Sequence, residues 1–224
     1  LAIDKLTTTF EINWTNIAVG SSEFITFETP DNITGLVKVE INDKNYTAFI
    51  YEGKGNLTVY GLPAGDYNVT VYFEGNNMYL PAASAMNNFT VNQTTTGIVI
   101  VPQNITYGGH ETIVIYINAT GTVNVTVDTF SVTNEPIVDG KVTIDVDDYL
   151  TAGNYTVYVD YNGNVNYTSS SAQKDFEVAK ADPTMTVEVQ NITYGDIEHI
   201  TVNVKSSGNV TIKVDGREET IVIS

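Results

Sequence analysis

Apolar and polar residues alternate with a period of two over many short runs of this chain. Val37, Val39 and Ile41 are separated by Lys38 and Glu40, while Val123, Val125 and Val127 alternate with Thr122, Asn124 and Thr126. Such alternation puts successive side chains on opposite faces of an extended strand, so these runs predict half-buried β-strands. Gly, Asn and Asp interrupt the runs at intervals of about ten residues, the rhythm of an antiparallel sandwich. No stretch of helical length carries an apolar stripe of helical period, and no helix is expected beyond isolated turns.

The pattern is itself repeated. Asn16-Ile17-Ala18-Val19-Gly20 recurs 88 residues on as Asn104-Ile105-Thr106-Tyr107-Gly108, and 87 residues further as Asn191-Ile192-Thr193-Tyr194-Gly195. Leu62-Pro63-Ala64-Gly65-Asp66-Tyr67 recurs at the same 88-residue offset as Leu150-Thr151-Ala152-Gly153-Asn154-Tyr155, and Gly75–Tyr79 recurs as Gly163–Tyr167. A unit of this length fits one sandwich domain. The chain therefore reads as all-β, with tandem immunoglobulin-like antiparallel sandwiches at 1–92 and 93–180 and part of a third at 181–224. Pro183, after a short polar segment, suits a semi-rigid link between neighbours. The last unit has about half the strands of a repeat, and a half-sandwich leaves an apolar face and open edges. It is expected to be completed by strand exchange or dimerisation with another chain, to pack on something else, or to be a trimmed piece of a longer unit.

Within each complete repeat, a Leu, then Ala-Gly, then a polar residue and a Tyr lead into alternating Val. This resembles the tyrosine corner, in which a Tyr at the start of strand F folds its hydroxyl back to upstream backbone. Tyr67 and Tyr155 are the candidates, with Val69, Val71 and Phe73, and Val157, Val159 and Tyr161, on the inward face.

The phrases Asn191–Asp196 (NITYGD), Leu62–Val71 (LPAGDYNVTV), Ala179–Thr184 (AKADPT) and Gly163–Tyr167 (GNVNY) closely resemble the bacterial-type Ig-like repeats of adhesin-like surface proteins of methanogenic archaea. The match covers nearly the whole chain and recurs in each copy. The resemblance implies a secreted, surface-displayed array in a protein that attaches to other cells or surfaces. It carries over no site residues, because that repeat type has no shared ligand motif.

Charge narrows the partners. With 10 basic against 27 acidic residues the formal net charge is -17, which repels phosphate backbones and anionic lipid. Nucleic acid and membrane surfaces are therefore not expected partners. Charged residues are only 17% of the chain, so the remaining surface is a coat of Asn, Thr, Ser and Gly. The absence of Cys removes disulfides, thiolate metal sites and thiol nucleophiles together, and fits an extracellular protein held by packing. No run approaches the roughly 20 apolar residues of a membrane span, so no direct membrane insertion is expected of these residues.

Catalytic chemistry finds no foothold. His110 and His199 lie near the start of the same strand in successive repeats, each beside an acid, Glu111 or Glu198. A His with one carboxylate falls short of a catalytic zinc site, so these pairs read as solvated strand-end residues. Asp145, Asp147 and Asp148, with Asp160 on a later strand, form an acidic cluster without a cleft to make them a glycosidase pair. Calcium is the sharper candidate for Asp145, Asp147 and Asp148, since oxygen-rich turns can stiffen an array, yet no EF-hand-type loop accompanies them. A Lys-to-Asn amide cross-link is disfavoured, because the first strands contain no Lys and Lys38 is replaced by Asn124 in the second copy. No catalytic residue and no cofactor is expected.

Fourteen Asn-x-Ser/Thr triplets make a glycan coat available wherever they are exposed and the host modifies them. Asn68, Asn154 and Asn166 are the chosen acceptors; Asn68 and Asn154 precede outward-facing positions of strand F. Tyr60, Tyr72 and Tyr158 are candidate outward rings, without the clustering of a sugar platform. The expected function is a non-catalytic stalk segment of a cell-surface adhesin. The alternative is a module that itself binds a protein or glycan on a partner cell.

Overall fold

The computed structural model describes residues 3–146 and 150–223. No helix occurs among them, and 21 strands account for the regular structure. Repeat 1 contains β1 (Glu11–Asn13), β2 (Ile17–Ala18), β3 (Glu23–Glu28), β4 (Gly35–Ile41), β5 (Lys44–Tyr51), β6 (Lys54–Val59), β7 (Gly65–Phe73), β8 (Ala82–Ala83) and β9 (Asn87–Asn92). Repeat 2 contains β10 (Ile98–Val101), β11 (Ile105–Thr106), β12 (Glu111–Ile117), β13 (Thr122–Val127), β14 (Phe130–Pro136), β15 (Lys141–Val146), β16 (Gly153–Tyr161) and β17 (Ser170–Ala179). The last segment contains β18 (Met185–Glu188), β19 (Thr201–Val204), β20 (Gly208–Val214) and β21 (Arg217–Ile223).

Repeat 2 is a two-layer sandwich with strand order β10-β12-β15 in one sheet and β11-β17-β16-β13-β14 in the other. Repeat 1 has the same two layers, β1-β3-β6 and β5-β4-β7-β9-β2, with β8 on β7. There the layers are joined along one side because the β5–β6 hairpin pairs at Ile50↔Gly55 and Tyr51↔Lys54. Gly55 is needed for that join, since a Cβ there would run into the Phe27 ring. In repeat 2 the outer strand β14 is a free edge. A register shift opposite Val123/Val125, the left-handed Asn134 and the terminal Pro136 make it a poor template for further pairing.

Alternation along the strands becomes two separate cores. In repeat 1 the buried rows include Ile25 and Phe27, Val37, Val39 and Ile41, and Val69, Val71 and Phe73. In repeat 2 they include Ile113, Ile115 and Ile117, then Val123, Val125 and Val127, with Val157, Val159 and Tyr161 opposite. Each such side chain contributes about 1.5–3 kcal/mol on burial, so each sandwich has its own driving force for folding. The two cores share no residue.

The tyrosines of the repeated block anchor the start of β7 and of β16. Tyr67 Oη donates to the Pro63 carbonyl at 2.9 Å, and Tyr155 Oη donates to the Thr151 carbonyl at 2.9 Å. Their rings stack on Phe89 and Phe176 of the last strand at centroid distances of 5.3 and 5.6 Å. Burial raises the Tyr67 hydroxyl above its ordinary pKa, with nearby Tyr46 adding to the effect.

The last segment pairs β18 with β19 and β20 with β21, as β10 pairs with β12 and β13 with β14. Counterparts of β15, β16 and β17 do not occur among the described residues, and no described residue of 181–223 is buried. Without an opposing layer, the alternating apolar residues have nothing to pack against.

Candidate functional site

Two features bear on what a tandem chain can do: the place where the first strand changes sheets, which recurs in both complete repeats, and the place where repeat 1 meets repeat 2. A strand that crosses between layers leaves backbone N–H groups without ladder partners. In repeat 1 the crossover spans Trp14 to Asn16, between β1, antiparallel to β3, and β2, parallel to β9.

A carboxylate accepts from the backbone at this point in every copy, and in the two complete repeats it is buried. Glu23 Oε1 accepts from the Thr15 N–H at 3.0 Å, Glu111 Oε1 from Gln103 at 2.9 Å, and Glu198 Oε1 from Gln190 at 2.7 Å. Glu23 and Glu111 are 0% and 1% exposed, and the second carboxylate oxygen of each has no hydrogen-bond partner. Burial raises the Glu111 carboxyl above its ordinary value, against smaller opposing effects of the Gln103 N–H and of His110. The reading of Glu111 as a solvated strand-end residue is therefore corrected. Glu111 shares parity with Ile113, Ile115 and Ile117, so its side chain points into the sandwich. That parity, and the recurrence of Glu at positions 23, 111 and 198, was the available signal.

The Asn that opens the repeated signature closes the other side of the crossover. Asn16 Oδ1 accepts from the Thr90 N–H, and Asn104 Oδ1 from the Glu177 N–H, both at 2.8 Å. The following residues form the parallel pairs Ile17↔Val91 and Ala18↔Asn92, repeated as Ile105↔Val178 and Thr106↔Ala179. The signature glycines Gly20, Gly108 and Gly195 adopt φ of 90°, 86° and 98°, where a side chain would strain the turn.

At the junction, the linker is held on both sides. The Thr94 N–H donates to the Asn166 carbonyl at 2.9 Å, and the Thr168 N–H donates to the Thr94 carbonyl at 3.1 Å. The Thr94 hydroxyl reaches back to the Val19 carbonyl of repeat 1 at 3.1 Å. The Ala64 N–H, in the turn before β7, donates to Asn166 Oδ1 of repeat 2 at 3.0 Å. Asn166 is thus half-buried in the junction, whereas Asn68 and Asn154 are exposed on the flank. Asn68 and Asn154 are themselves the outward positions; the next residues, Val69 and Tyr155, are buried and half-buried.

The other sequence-derived candidates are scattered. Asp145 Oδ1 accepts from the Thr112 hydroxyl at 2.8 Å and lies 3.5 Å from His110 Nε2. Asp147 and Asp148 lie outside the described residues, and among the described residues no three His, Asp or Glu side chains converge on a metal-sized site. Asp160 accepts from the Ser171 hydroxyl at 2.6 Å. Tyr60 and Tyr158 are exposed, but Tyr72 lies beneath the Lys38 ammonium, 4.1 Å from its ring centroid. Among the described residues, no helix is long and apolar enough to cross a membrane.

No protein-family model matches the chain, and no curated protein matches it. Among solved structures it is similar to the fibronectin(III)-like modules of CbhA from Clostridium thermocellum. That similarity has 12% identity and a TM-score of 0.30, over 76% of this chain and 95% of that one. The strand order of the two complete repeats defines the class of protein: tandem immunoglobulin-like β-sandwich modules.

Proposed function

We propose that this chain is a non-catalytic stalk segment of an extracellular cell-surface adhesin, in which stacked sandwiches hold a binding region away from the cell. The observation that carries the reading is the junction. Thr94 is bonded to both repeats and Ala64 of one repeat is bonded to Asn166 of the next, so the linker is clasped rather than loose. The acidic, amide- and hydroxyl-rich surface and the exposed Asn68 and Asn154 acceptors fit a segment that stays solvated and carries sugars. Small-angle scattering of the chain tests this reading. An elongated particle supports it, and a compact globule overturns it.

A second reading makes repeat 1 itself a recognition surface for a protein or glycan of a partner cell. It is favoured by one cross-strand pair on the outer face of β4 and β5, where Leu36 opposes Phe49 and both are exposed, with Tyr51 beside them. The corresponding pair in repeat 2 is Thr122 with Pro136. An exposed apolar pair at this position in one repeat and not in the other fits a contact site better than a general property of the array. Binding of the chain to whole cells and glycan arrays, lost in a Leu36→Ser/Phe49→Ser variant, supports this reading. Binding unchanged in that variant, or absent from the wild type, counts against it.

A further inference from the structure

We infer that the upstream end of repeat 1 is a self-association surface, through which two copies of this chain meet head to head in an apolar contact made by Leu6, Met78 and Leu80. The inference goes beyond the stalk reading and stands on the geometry of this end alone.

Both complete repeats begin on the same backbone lattice. In repeat 2, Thr94 bridges in parallel to Tyr167, with its N–H on the Asn166 carbonyl and its carbonyl taking the Thr168 N–H. In repeat 1, Leu6 bridges in parallel to Tyr79, with its N–H on the Met78 carbonyl and its carbonyl taking the Leu80 N–H, both at 2.8 Å. Leu6, Met78 and Leu80 therefore stand where repeat 2 has Thr94, Asn166 and Thr168, at the offset of 88 residues.

In repeat 2 this lattice is an interface. The Ala64 turn and the Val19 carbonyl of repeat 1 lie against it, and Thr94, Asn166 and Thr168 are half-buried. In repeat 1 the three side chains are apolar and 57%, 61% and 43% exposed, and Ile3, shortly before them, is exposed as well. Apolar side chains gathered where the sister repeat makes its docking contact mark a contact surface.

The chemistry selects the occupant. A sandwich docked as repeat 1 docks on repeat 2 would bring a backbone N–H like that of Ala64, and Met78 has no amide oxygen to receive it. Burying that N–H without an acceptor is destabilising. The corresponding turn of repeat 2, at Ala152, carries the same N–H, and the Ala64 turn is already engaged by Asn166. Neither turn can therefore cover Leu6, Met78 and Leu80 in the manner of the junction. The same patch on a second molecule brings no unpaired polar group, and across a two-fold axis it is complementary to itself. Asp4 and Lys5, next to Leu6, are of opposite sign, so the acidic charge of the chain is not concentrated at the contact.

So few side chains make a contact at the low end of specific interfaces, with an expected dissociation constant on the order of 10–100 µM. Because two acidic chains repel, added salt is expected to strengthen an apolar dimer. The test is sedimentation equilibrium of the whole chain from about 1 to 500 µM, a range that brackets this constant. Wild type is expected to pass from monomer to dimer. Leu6→Thr/Met78→Asn/Leu80→Thr installs the residues of repeat 2 on the shared lattice and is expected to weaken the dimer at least about tenfold. The single Met78→Asn variant serves if the triple variant fails to fold. Val187→Thr/Val222→Thr changes exposed apolar residues of the last segment instead and is expected to leave the dimer intact. The chain has no Cys, so Met78→Cys reports the geometry. Under mild oxidation it should link two chains faster than Tyr60→Cys, which lies beside Pro63 at the junction end of the repeat. A wild type that stays monomeric throughout overturns the inference and assigns the patch to another occupant. A dimer unchanged in the Leu6, Met78 and Leu80 variant, or lost in the last-segment variant, places the contact elsewhere and overturns it too. So do equal cross-linking rates, or a dimer that dissolves as salt rises.

Discussion

Glu111 and Gln103 are eight residues apart and joined by one hydrogen bond of 2.9 Å, from the Gln103 N–H to a carboxylate that is 1% exposed. The other oxygen of that carboxylate has no partner. A buried, half-satisfied acid is costly when charged, and the cost shows as a raised pKa whose main cause is burial.

The sign of the resulting pH dependence follows from linkage. Between the ordinary carboxylate range and the raised value of Glu111, the folded state holds a proton that the unfolded state has released. Stability from this group is therefore full below the ordinary range and is lost as pH rises through the raised value. Urea unfolding of repeat 2 from neutral to mildly acid pH is expected to show stability rising as pH falls, with a shallower rise in Glu111→Gln. Equal slopes for the two proteins would remove Glu111 as the cause.

Removing the carboxylate altogether has a different consequence. In Glu111→Ala the Gln103 N–H loses its partner at the crossover, with an expected cost of about 1–3 kcal/mol. The denaturation midpoint of repeat 2 should fall, while Glu111→Gln, which keeps an acceptor oxygen, should fall less.

The Tyr67 corner is expected to contribute one hydrogen bond, to the Pro63 carbonyl, and the Tyr155 corner two, to the carbonyl and the hydroxyl of Thr151. Tyr67→Phe and Tyr155→Phe keep the rings stacked on Phe89 and Phe176 and lose only the bonds to Pro63 and Thr151. Each should cost about 1 kcal/mol by chemical denaturation. A loss several times larger would mean that the hydroxyls hold more than these partners.

Separate cores imply separate unfolding. Ile113→Ala empties a fully buried site in repeat 2 and is expected to cost about 2–5 kcal/mol there. Calorimetry should show the repeat 2 transition moving down while the repeat 1 transition stays in place. Both transitions moving together would show that the junction bonds couple the repeats.

The repeated Gly75 and Gly163 are expected to tolerate no side chain. Gly163 has φ of 79°, and a Cβ there would come within 2.8 Å of the Ser169 backbone nitrogen. Gly163→Ala should cost more than about 1 kcal/mol, read as a lower melting temperature of repeat 2. A melting temperature equal to wild type would show that the turn can relax around the methyl group.

Much of this architecture was already legible along the chain. Alternation marks which of Val69, Val71 and Phe73 face inward, because a strand has only two faces and parity decides between them. The offset of 88 residues marks where a second sandwich begins, and Tyr67 and Tyr155 bond only four residues upstream, within the reach of local sequence. The bonds made by Asn16 to Thr90 and by Asn104 to Glu177 span more than seventy residues. No neighbouring residue names those partners. Glu111 shows the same divide within one side chain. Its parity with Ile113 and Ile115 was written in the sequence, but its adjacency to His110 suggested solvent. Closure of the opposite sheet decides the matter, because an inward position is buried only when the second layer covers it. Sequence periodicity thus determined the strands, their faces and the tandem plan, while the folding of distant segments onto one another decided the carboxylate at the crossover, the parallel pairing of β2 with β9 and of β11 with β17, and the clasp between repeats.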